Sequence, residues 1–339
     1  MSAARSRAWF VDRYGGPERL TLRERPDPRP GPGEVLVRTA AIGLNFADLF
    51  VRSGAYPRTP KPPFVPGMEI SGTVEAAGKD APFSPGQNVV AVPLFGGHAE
   101  KVCVPVSRVF PLPDGVGLAE AAAMPVVFLT AWYLCERAAV AAGDRVVVTA
   151  AAGGVGTALL QLLARRGART LALVGSEGKR AVAEGFGVEA SAAYGEAGRS
   201  VDRVFRGEID VVADAIGGRM FRPLWRRLAP GGRYVLYGFA AASGPRGVAK
   251  VSAARELLAM GFLSPYEVVQ SCRTLIGFNL SLLPDTHGDL RRAAAEIFAL
   301  WKEGAVRPVL GPSFPFERLP DAHRALAGRG TTGKVRILV

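Results

Sequence analysis

Arg145-Val146-Val147-Val148-Thr149-Ala150-Ala151-Ala152-Gly153-Gly154-Val155-Gly156 is the stretch on which the reading of this chain turns. A run of β-branched residues ends in small residues and glycines, and a helical pattern follows over residues 155–166. Strand, glycine turn and helix in that order let a backbone come close to a pyrophosphate. The free N–H groups and the positive end of the helix then meet its charge. Ala151 stands where such turns usually carry their first glycine. A bare glycine motif is also compatible with a purely structural strand–helix turn; the flanking strand and helix favour nucleotide binding.

The next strand pattern, 170–174, leads into Gly175-Ser176-Glu177-Gly178-Lys179-Arg180. An acid near this strand end, about 20 residues beyond the glycines, binds the ribose hydroxyls of NAD. Here a serine that can hydrogen-bond a 2′-phosphate and a lysine that can neutralise it stand close by. NADPH is the better fit. Glu177 dissents, as a displaced ribose acceptor, and Lys179 also reads as a solvated helix start.

Further strand patterns at 211–214 and 234–238, with a helical pattern at 179–186, extend the alternation. They predict a doubly wound parallel sheet in an α/β domain over 125–280. Upstream, residues 1–124 read as β-rich, with strand candidates at 34–39, 70–75 and 87–92 punctuated by Gly67, Gly78 and Gly86. After a last strand at 274–280, a helix at 290–302 leads to β segments ending at 334–339. The third segment, 281–339, is therefore expected to return to the first domain.

Length and composition bound the rest. The 339 residues, 48% hydrophobic and 21% charged, fit a globular protein of about two domains. A formal net charge of +12 raises nucleic acid as a partner. Yet only 7 of the 42 basic residues are lysine, the arginines are scattered, and no basic arm or finger spacing occurs, so no nucleic-acid partner is expected. Cys103, Cys135 and Cys272 are sparse, odd in number and far apart, as in a reducing compartment. Residues 119–134 are interrupted by Glu120 and Pro125, which argues against a membrane span. A cytoplasmic protein without an integral membrane segment is expected.

Pro30-Gly31-Pro32-Gly33-Glu34-Val35-Leu36-Val37, Gly43-Leu44-Asn45-Phe46-Ala47-Asp48, Pro66-Gly67-Met68-Glu69, the glycine turn and Thr332-Gly333-Lys334-Val335 occur in order. Together they resemble the medium-chain dehydrogenase/reductase superfamily over essentially the whole chain. The nearest branch in appearance is the zinc-free quinone oxidoreductases, which include zeta-crystallin. The segment from Ala240 through Gly277-Phe278-Asn279-Leu280 is similar to vesicle amine transport protein homologues. The resemblance implies a GroES-like β-rich catalytic domain split around a Rossmann domain, an active site in the cleft between them, and homodimers joined through the Rossmann sheet edge.

Zinc alcohol dehydrogenases of this superfamily place a Cys ligand where Asn45 stands and a His where Met68 stands, followed by a four-Cys lobe. This sequence has neither ligand nor lobe, and only His98, His287 and His323 in all, so no metal is expected. Without zinc to polarise a carbonyl, hydride addition to a conjugated acceptor is favoured over alcohol oxidation. The expected activity is NADPH-dependent reduction of a quinone or α,β-unsaturated carbonyl. The alternative is a non-catalytic nucleotide-binding scaffold, or a vesicle- or lipid-associated protein, that keeps the fold.

Residue by residue, the resemblance implies catalytic roles for Asn45, Asp48 and Tyr56. Asn45 stands beside nicotinamide and substrate, or is an Asx turn or cap. Asp48 orients its loop, and Tyr56 donates to a developing enolate or anchors an aromatic turn. Phe50 departs from a tyrosine found in several quinone reductases. Cofactor contacts are implied at Thr130, Ala152, Gly153, Gly154, Val155, Gly156, Ser176, Lys179, Tyr194, Gly238, Phe278 and Asn279.

Overall fold

The computed structural model describes residues 4–244, 247–248, 250–283 and 289–339; His287 lies outside them. The chain divides into two compact units. Residues 4–129, the pair Gly247–Val248 and residues 289–339 form the first, while Thr130–Gly244 and residues 250–283 form the second.

The first unit is a seven-stranded, mainly antiparallel sheet. Its order runs Leu310–Pro315, Lys334–Leu338, Glu34–Leu44, Ile70–Ala77, Asn88–Ala91, Val109–Pro111, and Lys101–Pro105 also pairs with Glu34–Leu44. A separate hairpin pairs Arg5–Val11 with Leu20–Pro26. Inward-facing Val35, Val37, Ile42, Leu44, Ile70 and Val89 join Val335, Ile337 and Phe316 in one core. Burial of that alternating face drives the sheet together. Strand Lys334–Leu338 pairs with Glu34–Leu44, so the end of the chain completes the sheet begun near its start.

The second unit holds a six-stranded parallel sheet in the order Ala190–Ala193, Arg169–Val174, Arg145–Val148, Ile209–Asp214, Leu228–Leu236, Thr274–Gly277. In chain order this is 3-2-1-4-5-6, the doubly wound arrangement whose strand order reverses beside the first strand. Val147, Leu171, Val212, Trp225 and Tyr234 form its core on one side.

Three elements differ from the sequence reading. The strand expected at 234–238 runs Leu228–Leu236, so Gly231 and Gly232 lie inside it, opposite an irregularity between Ile209 and Val211. The helix expected at 179–186 is a 3-10 turn, Glu177–Lys179, then a short helix, Arg180–Glu184. The last strand stops at Gly277, before Phe278. The helices Lys250–Met260 and Pro265–Ser271 have no counterpart in the reading. Among the described residues, no helix is long and apolar enough to cross a membrane.

Candidate functional site

The residues expected to contact the cofactor all belong to the second unit. Helix Gly154–Arg165 begins directly after strand Arg145–Val148 and its turn. Gly153 is the cap residue and supplies no capping side chain, and a Cβ there would lie 3.2 Å from Ala150 O. Gly156 allows the close approach: a Cβ there would collide with Ala150 O and lie 2.6 Å from Ala151 O. Ala150 turns the chain in the left-handed region at φ 52°, and Ala151 and Ala152 are buried beneath it. Val155 and Gly154 lie half-exposed at the helix start.

Beyond strand Arg169–Val174, Ser176 is exposed and Lys179 half-buried, its ammonium pKa lowered by that burial. Tyr194 joins them: its ring passes 3.6 Å from where a Gly175 Cβ would stand. At the other end of the sheet, Gly238 packs so closely that a Cβ would lie 2.6 Å from Ala215 O. Phe278 N donates to Leu236 O, and the Phe278 ring meets Tyr133 at 5.8 Å between centroids. Tyr133 shares helix Pro125–Arg137 with buried Thr130. Asn279 Oδ1 accepts from Ser281 N and Ser281 Oγ.

Asp214 is a residue the sequence reading did not single out. At the end of strand Ile209–Asp214, it accepts from Thr149 Oγ1 (2.7 Å), Tyr234 Oη (2.7 Å), Ile216 N (2.8 Å) and Gly217 N (3.1 Å). One buried carboxyl therefore ties the ends of three neighbouring strands. Burial pushes its pKa up, against the hydrogen bonds that favour the ionised form. A lone aspartate closing an apolar run, Val211-Val212-Ala213-Asp214, was the available signal.

The catalytic candidates lie in the first unit, in a buried polar chain. Asn45 is the N-cap residue of helix Phe46–Arg52, and its backbone N donates to Asp48 Oδ2 at 2.8 Å. Its amide nitrogen donates to Gly43 O (3.2 Å) and Glu69 Oε2 (3.1 Å), while its oxygen accepts from Lys334 Nζ at 2.5 Å. Asn45 thus stands as a helix cap, one of the two readings of its sequence, with its carboxamide nitrogen and oxygen both bonded within the chain. Glu69 also pairs with Lys334 at 2.5 Å and accepts from Val126 N at 2.6 Å. Gly43 leaves the room, since a Cβ would run into Ala122 O and sit 2.5 Å from Glu69 Oε2.

The chain continues through Asp48. Asp48 Oδ1 lies 3.9 Å from His98 Nε2, His98 stacks edge-on against His323 at 5.5 Å, and His323 Nδ1 lies 3.0 Å from Arg52 Nη1. All four side chains are fully buried, and Asp48 Oδ1 and both His98 nitrogens have no hydrogen-bond partner among the described residues. Tyr56 is half-buried against the sheet core, and its carbonyl accepts from Thr59 Oγ1 at 2.7 Å in a turn.

A β-rich unit closed by the chain's last strand, with a 3-2-1-4-5-6 parallel sheet intervening in sequence, defines the dehydrogenase/reductase class of medium chain length. Residues 31–114 match the alcohol dehydrogenase GroES-like domain, and residues 186–337 match the family described as zinc-binding dehydrogenase. The rat synaptic vesicle membrane protein VAT-1 homolog is 32% identical over 339 residues, covering 96% of this chain and 82% of the relative. Human quinone oxidoreductase is 29% identical, with 98% of each chain covered. The quinone oxidoreductase of Thermus thermophilus, solved also in complex with NADPH, superposes with a TM-score of 0.81 at 36% identity, covering 98% of this chain and all of the other. The chain belongs to the medium-chain dehydrogenase/reductase superfamily, in the group that contains the VAT-1 homologues and the quinone oxidoreductases.

The zinc named in the second family description does not fit these residues. Asn45 is committed to neighbours, Met68 offers a thioether, and the described residues contain no group of three His, Cys, Asp or Glu able to hold a metal ion.

Proposed function

We propose that this chain is a zinc-independent reductase that uses NADPH to reduce a quinone or an α,β-unsaturated carbonyl. The observation that carries the reading is the Asn45–Glu69–Lys334 network: the residue at one zinc-ligand position of the zinc enzymes is an amide bonded to Glu69 and Lys334, and the other position holds Met68. A conjugated acceptor spreads the incoming negative charge over its own atoms and needs no Lewis acid to do so. The NADPH complexes of similar quinone oxidoreductases support the cofactor assignment.

NADPH supplies the hydride when bound. The turn from Ala152 to Gly156 receives the pyrophosphate on backbone N–H groups, while Ser176, Lys179 and Tyr194 receive the 2′-phosphate. Thr130, Gly238, Phe278 and Asn279 position the nicotinamide half. Tyr56 donates its phenol hydrogen to the enolate oxygen left on the acceptor, and Asn45 and Asp48 hold the helix start that precedes it. Orientation and exclusion of water are the protein's main contributions.

The reading includes a homodimer that pairs the outer strand Thr274–Gly277 with its symmetry mate. Leu257, Leu258, Phe262, Tyr266 and Val269, all exposed in the two helices before that strand and the loop between them, would be covered in it. Light scattering of the eluting protein reports its mass directly.

The decisive experiment follows NADPH absorbance across a panel of quinones and enones, beside elemental analysis for zinc. Turnover of at least one acceptor by zinc-free protein is expected. Tight NADPH binding with no turnover anywhere on the panel overturns the reductase and leaves a nucleotide-binding scaffold.

A further inference from the structure

Glu177, the acid that argues for NAD in the sequence, is held by another residue. Arg180 Nη1 donates to Glu177 Oε1 at 2.8 Å. The rest of the guanidinium faces the neighbouring strand: Nε donates to Ser191 Oγ at 2.9 Å and Nη2 to Ser191 O at 2.8 Å. Ser191 Oγ donates onward to Glu184 Oε1 at 2.6 Å, which itself lies 3.8 Å from Arg180 Nε. Ser191 is buried in strand Ala190–Ala193, which pairs in parallel with Arg169–Val174. Arg180 therefore spans from the loop after one strand to the body of the next. Two bonds to a buried residue fix the planar fork before Glu177 docks on it, so little further ordering is needed for the third bond.

A released Glu177 carboxylate at this strand end would accept ribose hydroxyls and repel a 2′-phosphate. We propose that Arg180 sets the cofactor preference by holding Glu177 out of that role. The proposal rests on the NADPH reading above and names the residue through which the preference is enforced. Arg180 does not reach for the phosphate itself, because turning the fork away would break both bonds to Ser191. It is a positioning residue, acting through Glu177 beside Ser176 and Lys179. The ion pair adds little to folding, since the Glu177 side chain is 74% exposed. Its effect is on which charge stands near the 2′ position.

The experiment titrates NADPH and NADH, by quenching of protein fluorescence, into wild type, Arg180→Met, Glu177→Gln and the double variant. The ratio of the two affinities is read, so a partly unfolded preparation lowers both and cancels. Arg180→Met should move the ratio about tenfold toward NADH. Glu177→Gln alone should leave it near wild type, and the double variant should recover it to within about threefold. An unchanged ratio in Arg180→Met overturns the proposal. So does an equal fall in the single and double variants, which would place Arg180 on the phosphate directly. Wild type that binds neither cofactor overturns the NADPH reading instead.

Discussion

The glycine turn of the second unit and the polar chain of the first solve opposite problems. Around Gly153 and Gly156 the site is made by removing side chains, so that backbone N–H groups stand clear and helix packs on strand. Around Asn45 it is made by burying side chains, charged ones included, and satisfying them mutually. The first kind of site fails by steric intrusion and the second by loss of a partner. Variants in the two regions should therefore separate, one losing binding and the other stability.

The largest effect is expected for Gly156→Val. The added atoms meet the carbonyls of Ala150 and Ala151, which are backbone and cannot step aside. NADPH affinity should fall more than about 100-fold as the turn opens, measured by titration on protein whose helix content is checked by circular dichroism. Retained affinity would mean that the turn does not carry the cofactor.

Lys334→Ala should cost about 3–5 kcal/mol of unfolding free energy, because it strands the Glu69 carboxylate in a dry interior. Pairing Lys334→Ala with Glu69→Gln removes both charges and should recover most of that loss. Denaturant unfolding of the four proteins closes the cycle. If the double variant is no better than the single, the buried charge is not the cause.

A smaller effect is the response to acid. Burial holds His98 neutral, its pKa pushed down to about 3, and burial, with the Arg52 cation beside it, holds His323 well below the usual value. The unfolded chain takes up protons on both near pH 6.5. Stability is therefore present above that pH and drains away as pH falls toward the folded values. Asp48 works the other way: burial raises it to about 7, so the fold keeps a proton that the unfolded carboxyl releases above about pH 4. Taken alone, the two histidines and Asp48 contribute a slope of about 1.4 kcal/mol per pH unit between roughly pH 4.5 and 6, which the raised Asp214 carboxyl opposes. His98→Phe should lower the slope by about 1.4 kcal/mol per pH unit. A slope unchanged in the variant would locate the acid response elsewhere.

The smallest effect is expected at Tyr56, where neither mechanism of failure applies. Tyr56→Phe keeps the ring against the sheet core and removes only the hydroxyl. Turnover on the best enone should fall roughly tenfold with little change in NADPH affinity, less than a full oxyanion donor because water can supply the proton. Unchanged turnover would make Tyr56 an anchor of its turn.

The same contrast explains what could be read beforehand. Arg145–Val148 and the helix that opens at Gly154 lie where the motif puts them, because the steric rule for a close-packed turn is written in consecutive residues. The partners of Asn45 are not consecutive: Glu69 and Lys334 lie 24 and 289 positions away, and only the folded sheet brings them together. Asp48 was singled out as a residue that orients its loop, whereas its neighbours His98 and His323 entered only in the histidine count, since nothing in sequence links them. The helices Lys250–Met260 and Pro265–Ser271 were missed for another reason. Val251 and Leu258 in the first, and Tyr266 and Val269 in the second, are apolar yet exposed, and they break the one-sided apolar stripe by which a helix is recognised.

Lys334 also sets an order of events. It is the cation for a carboxylate made 265 residues earlier, so the ribosome delivers Glu69 long before the group that neutralises it. At about 5–20 residues per second, the interval is roughly 13–50 s. During that time the strands Glu34–Leu44 and Ile70–Ala77 can pair, but burying Glu69 would leave an uncompensated charge. The inserted parallel sheet, whose strands all lie between Arg145 and Gly277, is complete in the interval and needs nothing from the last strand. Synthesis thus favours a sequence in which the middle of the chain settles first and its two ends close together last, with one lysine as the closing element.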